Sequence, residues 1–374
     1  MTAKPTARIG LVGAGFMGRC HANAFRAVSG LFDLPVEPVA EMLADMNDEV
    51  ADRNARALGY RRSTGDWKVL CNDPDIDIVA ITAPNVFHEP IALEAIAAGK
   101  AIYCEKPLST TLESALRMTE AAEKAGVLTL VGFNFLRNPV IKLAKEIIAS
   151  GDLGEVVSFR GRHAENYMVD GNAPHSFRTD KDGGGALADI GSHIISMARH
   201  LVGDIESVSA RTLTVHKDRP LHPGSAESAP VVVDDIGQSV VTFANGAIGS
   251  IEANWVASGR KMDLSWEVTG TKGALVFSQE RMNELWLFTD DTAKERSGFC
   301  KIEAGPEHPP YGAFCPAPGH QLGFNDLKVI EVAELLSAFA SGGRCNPDFR
   351  EAYEVQRVVS AMQASAGNGT TVKI

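Results

Sequence analysis

From residue 8 to about residue 130, short and continuously apolar runs alternate with stretches of helical periodicity, and that alternation restricts this part of the chain to one kind of fold. A run such as Ile78-Val79-Ala80-Ile81 has no polar face, so a strand there must be covered on both sides. A parallel sheet with helices on both faces meets that demand. Strands are expected at 8–12, 39–44, 76–82, 101–104 and 129–133, with helices at 17–27, 48–58, 89–98 and 112–125. This half reads as doubly wound α/β.

The character changes at Ser150-Gly151-Asp152, after a helix expected at 139–149. Strands then follow one another at 155–163, 206–215, 235–243, 247–254, 263–269, 274–278 and 284–288. Asn245-Gly246 and Thr271-Lys272-Gly273 supply the positive φ that hairpin turns require. The second half is therefore expected to be an antiparallel α+β domain, interrupted by a helix at 185–201 and closed by helices at 325–341 and 350–364. The proline-rich stretch 299–323 reads as a long irregular loop, a functional lid or a subunit contact. Trp255, Trp266 and Trp286 fall in the expected sheet, which suits a subunit contact and equally an ordinary core. A dinucleotide-binding domain at 1–135 and a substrate-binding and oligomerisation domain at 136–374 follow from this division.

With 374 residues the chain is long enough for two such cores, and a hydrophobic content of 45% with 22% charged residues is that of a soluble globular protein. The net charge of -11 and the scattered basic residues exclude nucleic acid and anionic membrane as expected partners. No apolar run reaches the length of a membrane span. The six cysteines form no C-x-x-C pair, so neither a zinc site nor a disulfide framework is expected, and the reading is cytoplasmic.

Gly13-Ala14-Gly15-Phe16-Met17-Gly18 follows the first strand and opens the first helix. In that position Gly13 makes the tight turn, Gly15 lets backbone amides approach a pyrophosphate, and Gly18 permits close packing of helix on strand. Free amides and the helix dipole then favour phosphate. Asp45, at the end of the second strand, is the candidate for the adenosine ribose hydroxyls, with Glu41 as its rival. Met46, Asn47 and Asp48 offer no cation to a 2'-phosphate, which favours NAD over NADP.

Asp189 and His193 are four residues apart on an expected helix and share a face. His193 can accept a hydroxyl proton near neutral pH, while Asp189 can position the substrate hydroxyl or hold the imidazole. Lys106, just after the 101–104 strand, lies at the carboxyl edge of the sheet and can polarise an oxygen that becomes a carbonyl. Asp182 to Gly185 form a glycine-rich entry to the helix that carries Asp189. Asp189, His193 and His200 lack the spacing of a metal site, and none is expected.

In these motifs, together with Ala83-Pro84-Asn85-Val86-Phe87-His88 and Glu105-Lys106-Pro107, nearly the whole chain resembles the Gfo/Idh/MocA family of oxidoreductases. The resemblance implies an N-terminal Rossmann domain and a C-terminal domain with an open, mostly antiparallel sheet whose outer face makes a homodimer or homotetramer. It also implies Lys106, Asp189 and His193 as the catalytic set. Phe16, Met17, Ala83, Pro84, Asn85, His88, Glu105 and Lys106 would line NAD beside the glycines and Asp45. Asn134, Tyr167, His175, Arg178 and His320 are candidates to bind sugar hydroxyls, and Arg137 stands one position from where the family often has an arginine. The implied activity is oxidation of a secondary hydroxyl of a sugar, inositol, anhydrosugar or glycoside. The alternatives are a tightly held NAD recycled in place and a non-catalytic sensor.

Overall fold

A computed structural model describes residues 4–290 and 293–374, and the counts below are of those described residues. The chain forms two compact units, Met1–Arg137 with Gly323–Tyr353, and Asn138–Leu322 with Glu354–Ile374.

The first unit is built on six parallel strands, β1 (Thr6–Val12), β2 (Glu37–Ala44), β3 (Arg62–Thr64), β4 (Ile78–Ile81), β5 (Ala101–Cys104) and β6 (Thr129–Val131), in the order β3-β2-β1-β4-β5-β6. All four residues of β4 are fully buried, as a strand covered on both faces must be. The strand order reverses between β1 and β4, so the crevice outside their carboxyl ends is where such a sheet binds ligands. Around the sheet lie α1 (Phe16–Leu31), α2 (Asp48–Leu58), α3 (Trp67–Asn72), α4 (His88–Ala97) and α5 (Leu112–Ala125). Local chemistry sets their ends: the Asn47 and Thr111 side chains accept the Val50 and Ser114 amides, and left-handed Gly59 and Gly126 close α2 and α5.

Several features depart from the expected pattern, among them α3, a helix where none was expected. The first helix runs on to Leu31, past its expected end at 27, and the Phe32 amide still reaches the Val28 carbonyl. β3 has no apolar run because it is an edge strand, paired only with β2. A helix far along the chain, Phe324–Ser341, also belongs to this unit and packs along α1. Its residues 327–333 are all buried, including Lys328 and Glu331.

The second unit carries a nine-stranded sheet in the order Cys300–Glu303, Glu284–Thr289, Gly273–Ser278, Asp263–Gly270, Val156–Ala164, Ile248–Asn254, Ile236–Phe243, Ile205–Leu213 and Val372–Lys373. Neighbours are antiparallel except Ile248–Asn254, which runs parallel to Val156–Ala164. The expected helix at 185–201 is divided: Leu187–Gly191 is a π-turn and Ser192–Leu201 an α-helix with an almost entirely buried surface. Trp255 and Trp266 lie inside this core, whereas Trp286 is half-buried. The 299–323 stretch begins as the edge strand Cys300–Glu303, and fully buried Tyr311 anchors its remainder by accepting the Gln321 amide and donating to the Ala317 carbonyl.

Candidate active site

The dinucleotide half is shaped by backbone. Gly13 has φ +91°, and its amide donates to the Ala44 carbonyl at 2.9 Å, which ties the turn after β1 to the end of β2. A Cβ on Gly18 would lie 2.2 Å from the Gly13 carbonyl oxygen, so α1 and the turn can touch only through glycine. Gly15 is different, because a Cβ there would meet nothing within 4 Å. It borders an open cradle in front of α1, whose first turn has neither a side-chain cap nor an acidic residue. Uncapped amides and an unopposed helix dipole fit a pyrophosphate. Met17 is half-buried, and Phe16 is 68% exposed with its ring 6.1 Å from that of Phe324.

Thr82, which the sequence reading passed over, donates its hydroxyl to the Gly13 carbonyl at 2.6 Å. It fastens the glycine turn to Ala83 and Pro84, after which Asn85 opens a short helical turn. A hydroxyl at the very end of an otherwise apolar strand was the available signal. Asp45 accepts the Met46 amide and the Asn54 side-chain amide at 2.8 and 2.9 Å, which orients its carboxylate at the carboxyl end of β2. Glu41 is instead buried within β2 and paired with Arg61 and Arg62. Of the two carboxylates, only Asp45 stands beyond the strand.

His88 is buried, and its Nδ1 and Nε2 lie 3.0 Å from the Pro107 and Ala83 carbonyls. Burial pushes its pKa down despite those two carbonyls. The ring therefore holds backbone on both sides, joining the turn after β4 to the one after β5. Glu105 and Lys106 occupy that second turn, with a cis bond between Lys106 and Pro107. Glu105 is buried and accepts from His21 and from Lys328, at 2.7 and 2.6 Å. Burial raises its pKa, but the Lys328 ammonium and the His21 hydrogen bond outweigh that and hold the carboxyl well below the usual range. Asn134 is 2% exposed, and its Nδ2 has no hydrogen-bond partner among the described residues. Arg137 turns to the Asn346 carbonyl and Glu334.

In the second unit the π-turn places Asp189 where it accepts from Tyr167 Oη and Arg178 Nε, each at 2.9 Å. π-turns add a residue to a helical turn and concentrate at functional sites. The Arg178 guanidinium lies 4.5 Å from the Phe177 ring centroid, so a charge-assisted bond and a cation–π contact both orient it. Three residues far apart in the expected pattern thus form one polar group. His193, on the first turn of Ser192–Leu201, is 7% exposed, with its ring centroid 5.6 Å from that of His163. His163 lies near the Ile190 carbonyl and the Glu165 carboxylate, both at 2.9 Å. Its position on the buried face of a strand gave it no distinction in sequence. Of the other two candidates, His175 is tied through its backbone amide to the Pro220 carbonyl, and exposed His320 contacts the Ala317 carbonyl of its own loop. No group of three or more His, Cys, Asp or Glu among the described residues is arranged to hold a metal.

Two family models match the chain, one described as an oxidoreductase family with an NAD-binding Rossmann fold over residues 7–133 and one as the GFO/IDH/MocA C-terminal domain over residues 141–276. The chain is 39% identical to a levoglucosan dehydrogenase of Pseudarthrobacter phenanthrenivorans, over 98% of its own length and 97% of that protein's. It is 29% identical to a scyllo-inositol 2-dehydrogenase (NAD(+)) of Bacillus subtilis, over 75% of its length and 77% of that protein's. A solved levoglucosan dehydrogenase, in complex with NADH and levoglucosan, superposes with a TM-score of 0.95 at 39% identity, covering 99% of each chain. An open dinucleotide cradle on a parallel sheet, followed by a mostly antiparallel sheet domain, and full-length similarity of this order lead to one assignment: the chain belongs to the Gfo/Idh/MocA family of NAD-dependent oxidoreductases.

Proposed function

We propose that this dehydrogenase oxidises one secondary hydroxyl of a compact cyclic sugar of the anhydrosugar class, with levoglucosan as the first candidate. The observation that carries the reading is similarity to a levoglucosan dehydrogenase over 98% of the chain, which takes in the substrate-domain residues as well as the cofactor domain. The first domain would hold the cofactor and the second the sugar. Gly13, Gly15 and Gly18 would receive the pyrophosphate, with Phe16 and Met17 beside it, and Asp45 the adenosine ribose. Ala83, Pro84, Asn85 and Glu105 would border the rest, with His88 fixing their backbone.

Bound NAD supplies the hydride acceptor. Lys106 polarises the substrate oxygen, and His193 takes the hydroxyl proton as the carbonyl forms. Asp189 presents a carboxylate whose direction is set by Tyr167 and Arg178, and it orients the sugar hydroxyl beside His193. Asn134, with a buried amide donor still to be satisfied, is placed by this reading against a sugar oxygen or the cofactor amide. His175 and His320 would act only as outer contacts.

The open face of the nine-stranded sheet, where Val240 and Ile248 are each 60% exposed, is the proposed surface for a dimer or tetramer. Six free thiols favour a reducing, cytoplasmic setting, and the net charge of -11 argues against nucleic acid as a partner. Among the described residues, no helix is long and apolar enough to cross a membrane.

The test is NADH formation on levoglucosan, 1,5-anhydroglucitol, glucose, scyllo-inositol and myo-inositol, with NADP run in parallel. Turnover led by an anhydrosugar with NAD is expected, and faster turnover of an inositol would overturn the substrate class. His193→Ala and Lys106→Met should each lower kcat at least ~100-fold while NADH binding survives. Near-normal turnover in both would remove the proposed acid-base set.

A further inference from the structure

A charged cluster lies inside the first unit, behind the turn that carries Lys106. Lys328 is fully buried, and its ammonium donates to Glu105 at 2.6 Å, to Glu331 at 2.9 Å and to the Tyr103 hydroxyl at 3.1 Å. Tyr103 in turn donates to Glu331, and His21 bonds the same Glu105 oxygen that Lys328 holds. The cluster has no room for change: a Cβ on Gly132 would lie 2.7 Å from Glu105 Oε1 and 2.9 Å from Lys328 Nζ. It is assembled from α1, β5, the β6 turn and the Phe324–Ser341 helix, over a sequence separation of 223 residues between Glu105 and Lys328.

Stability alone does not account for such a cluster. Each buried ion loses several kcal/mol of solvation, and well-packed apolar residues of similar volume commonly serve the fold as well or better. A buried ion pair gives direction, because the ammonium and carboxylate can meet in few geometries. Here the carboxylate so fixed is the residue immediately before Lys106. On the far side of Lys106, the Pro107 carbonyl is held by the buried His88 ring at 3.0 Å. The lysine therefore stands between two anchored neighbours, one gripped through its side chain and the other through its backbone.

We propose that Lys328 is a positioning residue for Lys106, acting through the Glu105 carboxylate, so that a helix from the last sixth of the chain sets the aim of the lysine that polarises the substrate. This rests on the reading of Lys106 given above. Lys328 touches neither sugar nor cofactor in this role, and its effect appears in kcat and not in the binding of either.

The experiment compares wild type, Lys328→Met, Lys328→Arg and Lys106→Met as full-length proteins, on whichever sugar of the panel is turned over fastest. Turnover is expressed per NADH-binding site, counted by fluorescence titration, so that a partly unfolded sample does not pass for a slow one. Lys328→Met is expected to lower kcat per site at least ~10-fold, with NADH affinity and sugar KM within about threefold of wild type. Lys328→Arg should recover a substantial part of the loss, since it restores the cation. Turnover per site within about twofold of wild type in Lys328→Met overturns the proposal, as does an equal loss in kcat and NADH affinity. Unchanged turnover in Lys106→Met would instead remove the reading on which it rests. If Lys328→Met does not fold, Lys328→Met/Glu331→Gln removes one charge of each sign and carries the same comparison.

Discussion

Asp234 offers a sharp test of how the second unit holds its polar helix start. The residue is 8% exposed, its Oδ2 accepts the Leu187 amide at 2.8 Å and its carbonyl accepts the Ala186 amide at 2.9 Å. It therefore secures the turn that leads to Asp189. Burial, with Asp235 adding to it, pushes its carboxyl from the ordinary 3.8 up to about 6, against the lowering effect of those amides. Between these values the folded protein keeps a proton that the unfolded chain has lost. The contribution to stability is accordingly complete below pH 3.8 and is lost as the pH rises through about 6. A shift of this size corresponds to about 3 kcal/mol.

Asp234→Asn removes the titration while keeping one carbonyl oxygen for the Leu187 amide. Urea unfolding of both proteins, followed through tryptophan fluorescence, reads the difference. Trp255 is a suitable reporter, since its indole donates to neighbouring Asp235 at 2.6 Å. Wild-type stability minus that of the variant should fall by about 2 to 3 kcal/mol from pH 4 to pH 7. A difference that stays flat over that interval would mean that the carboxyl titrates normally in the folded protein, and the account of its burial would be wrong.

Other expectations follow from single contacts. Gly15→Ala should leave thermal stability unchanged, because the new Cβ meets nothing within 4 Å, yet it should weaken NAD binding in a calorimetric titration. Gly18→Ala should damage both, since its Cβ would lie 2.2 Å from the Gly13 carbonyl oxygen; an intact Tm there would contradict the close packing. Tyr167→Phe takes away a donor to Asp189, and a rise in sugar KM worth about 1.5–3 kcal/mol is expected with NAD affinity unaltered. Asp45→Ser should reduce the preference for NAD over NADP at least ~10-fold, and an unchanged ratio of kcat/KM values would take Asp45 out of the ribose role.

What could be seen in the sequence was whatever has a local cause. The glycine turn was legible because Gly13 and Gly18 answer to a strand before and a helix after them, and β4 because four apolar residues in a row leave no face for water. The π-turn at Leu187–Gly191 was not legible, since a run of small and apolar residues fits an α-helix equally well until Tyr167 and Arg178 take hold of Asp189. β3 was missed for the opposite reason, an edge strand needing no apolar run.

The Phe324–Ser341 helix marks the limit most clearly, and it also shows what more could be extracted. Its helical character is plain from sequence, but membership of the first unit depends on contacts made across the length of the second unit's chain segment. One local sign pointed inward. Lys328 and Glu331 are three residues apart among leucines, valines and isoleucines, so both charges share a face that the helix must bury. A lone buried lysine is costly, and a Lys-Glu pair in apolar company therefore asks for at least one further polar partner. That partner is Glu105, whose own burial in the turn beside Lys106 asks in return for a cation. Each half of the cluster is anomalous alone, and pairing such anomalies across a chain is a physical criterion for contact that needs neither periodicity nor motif.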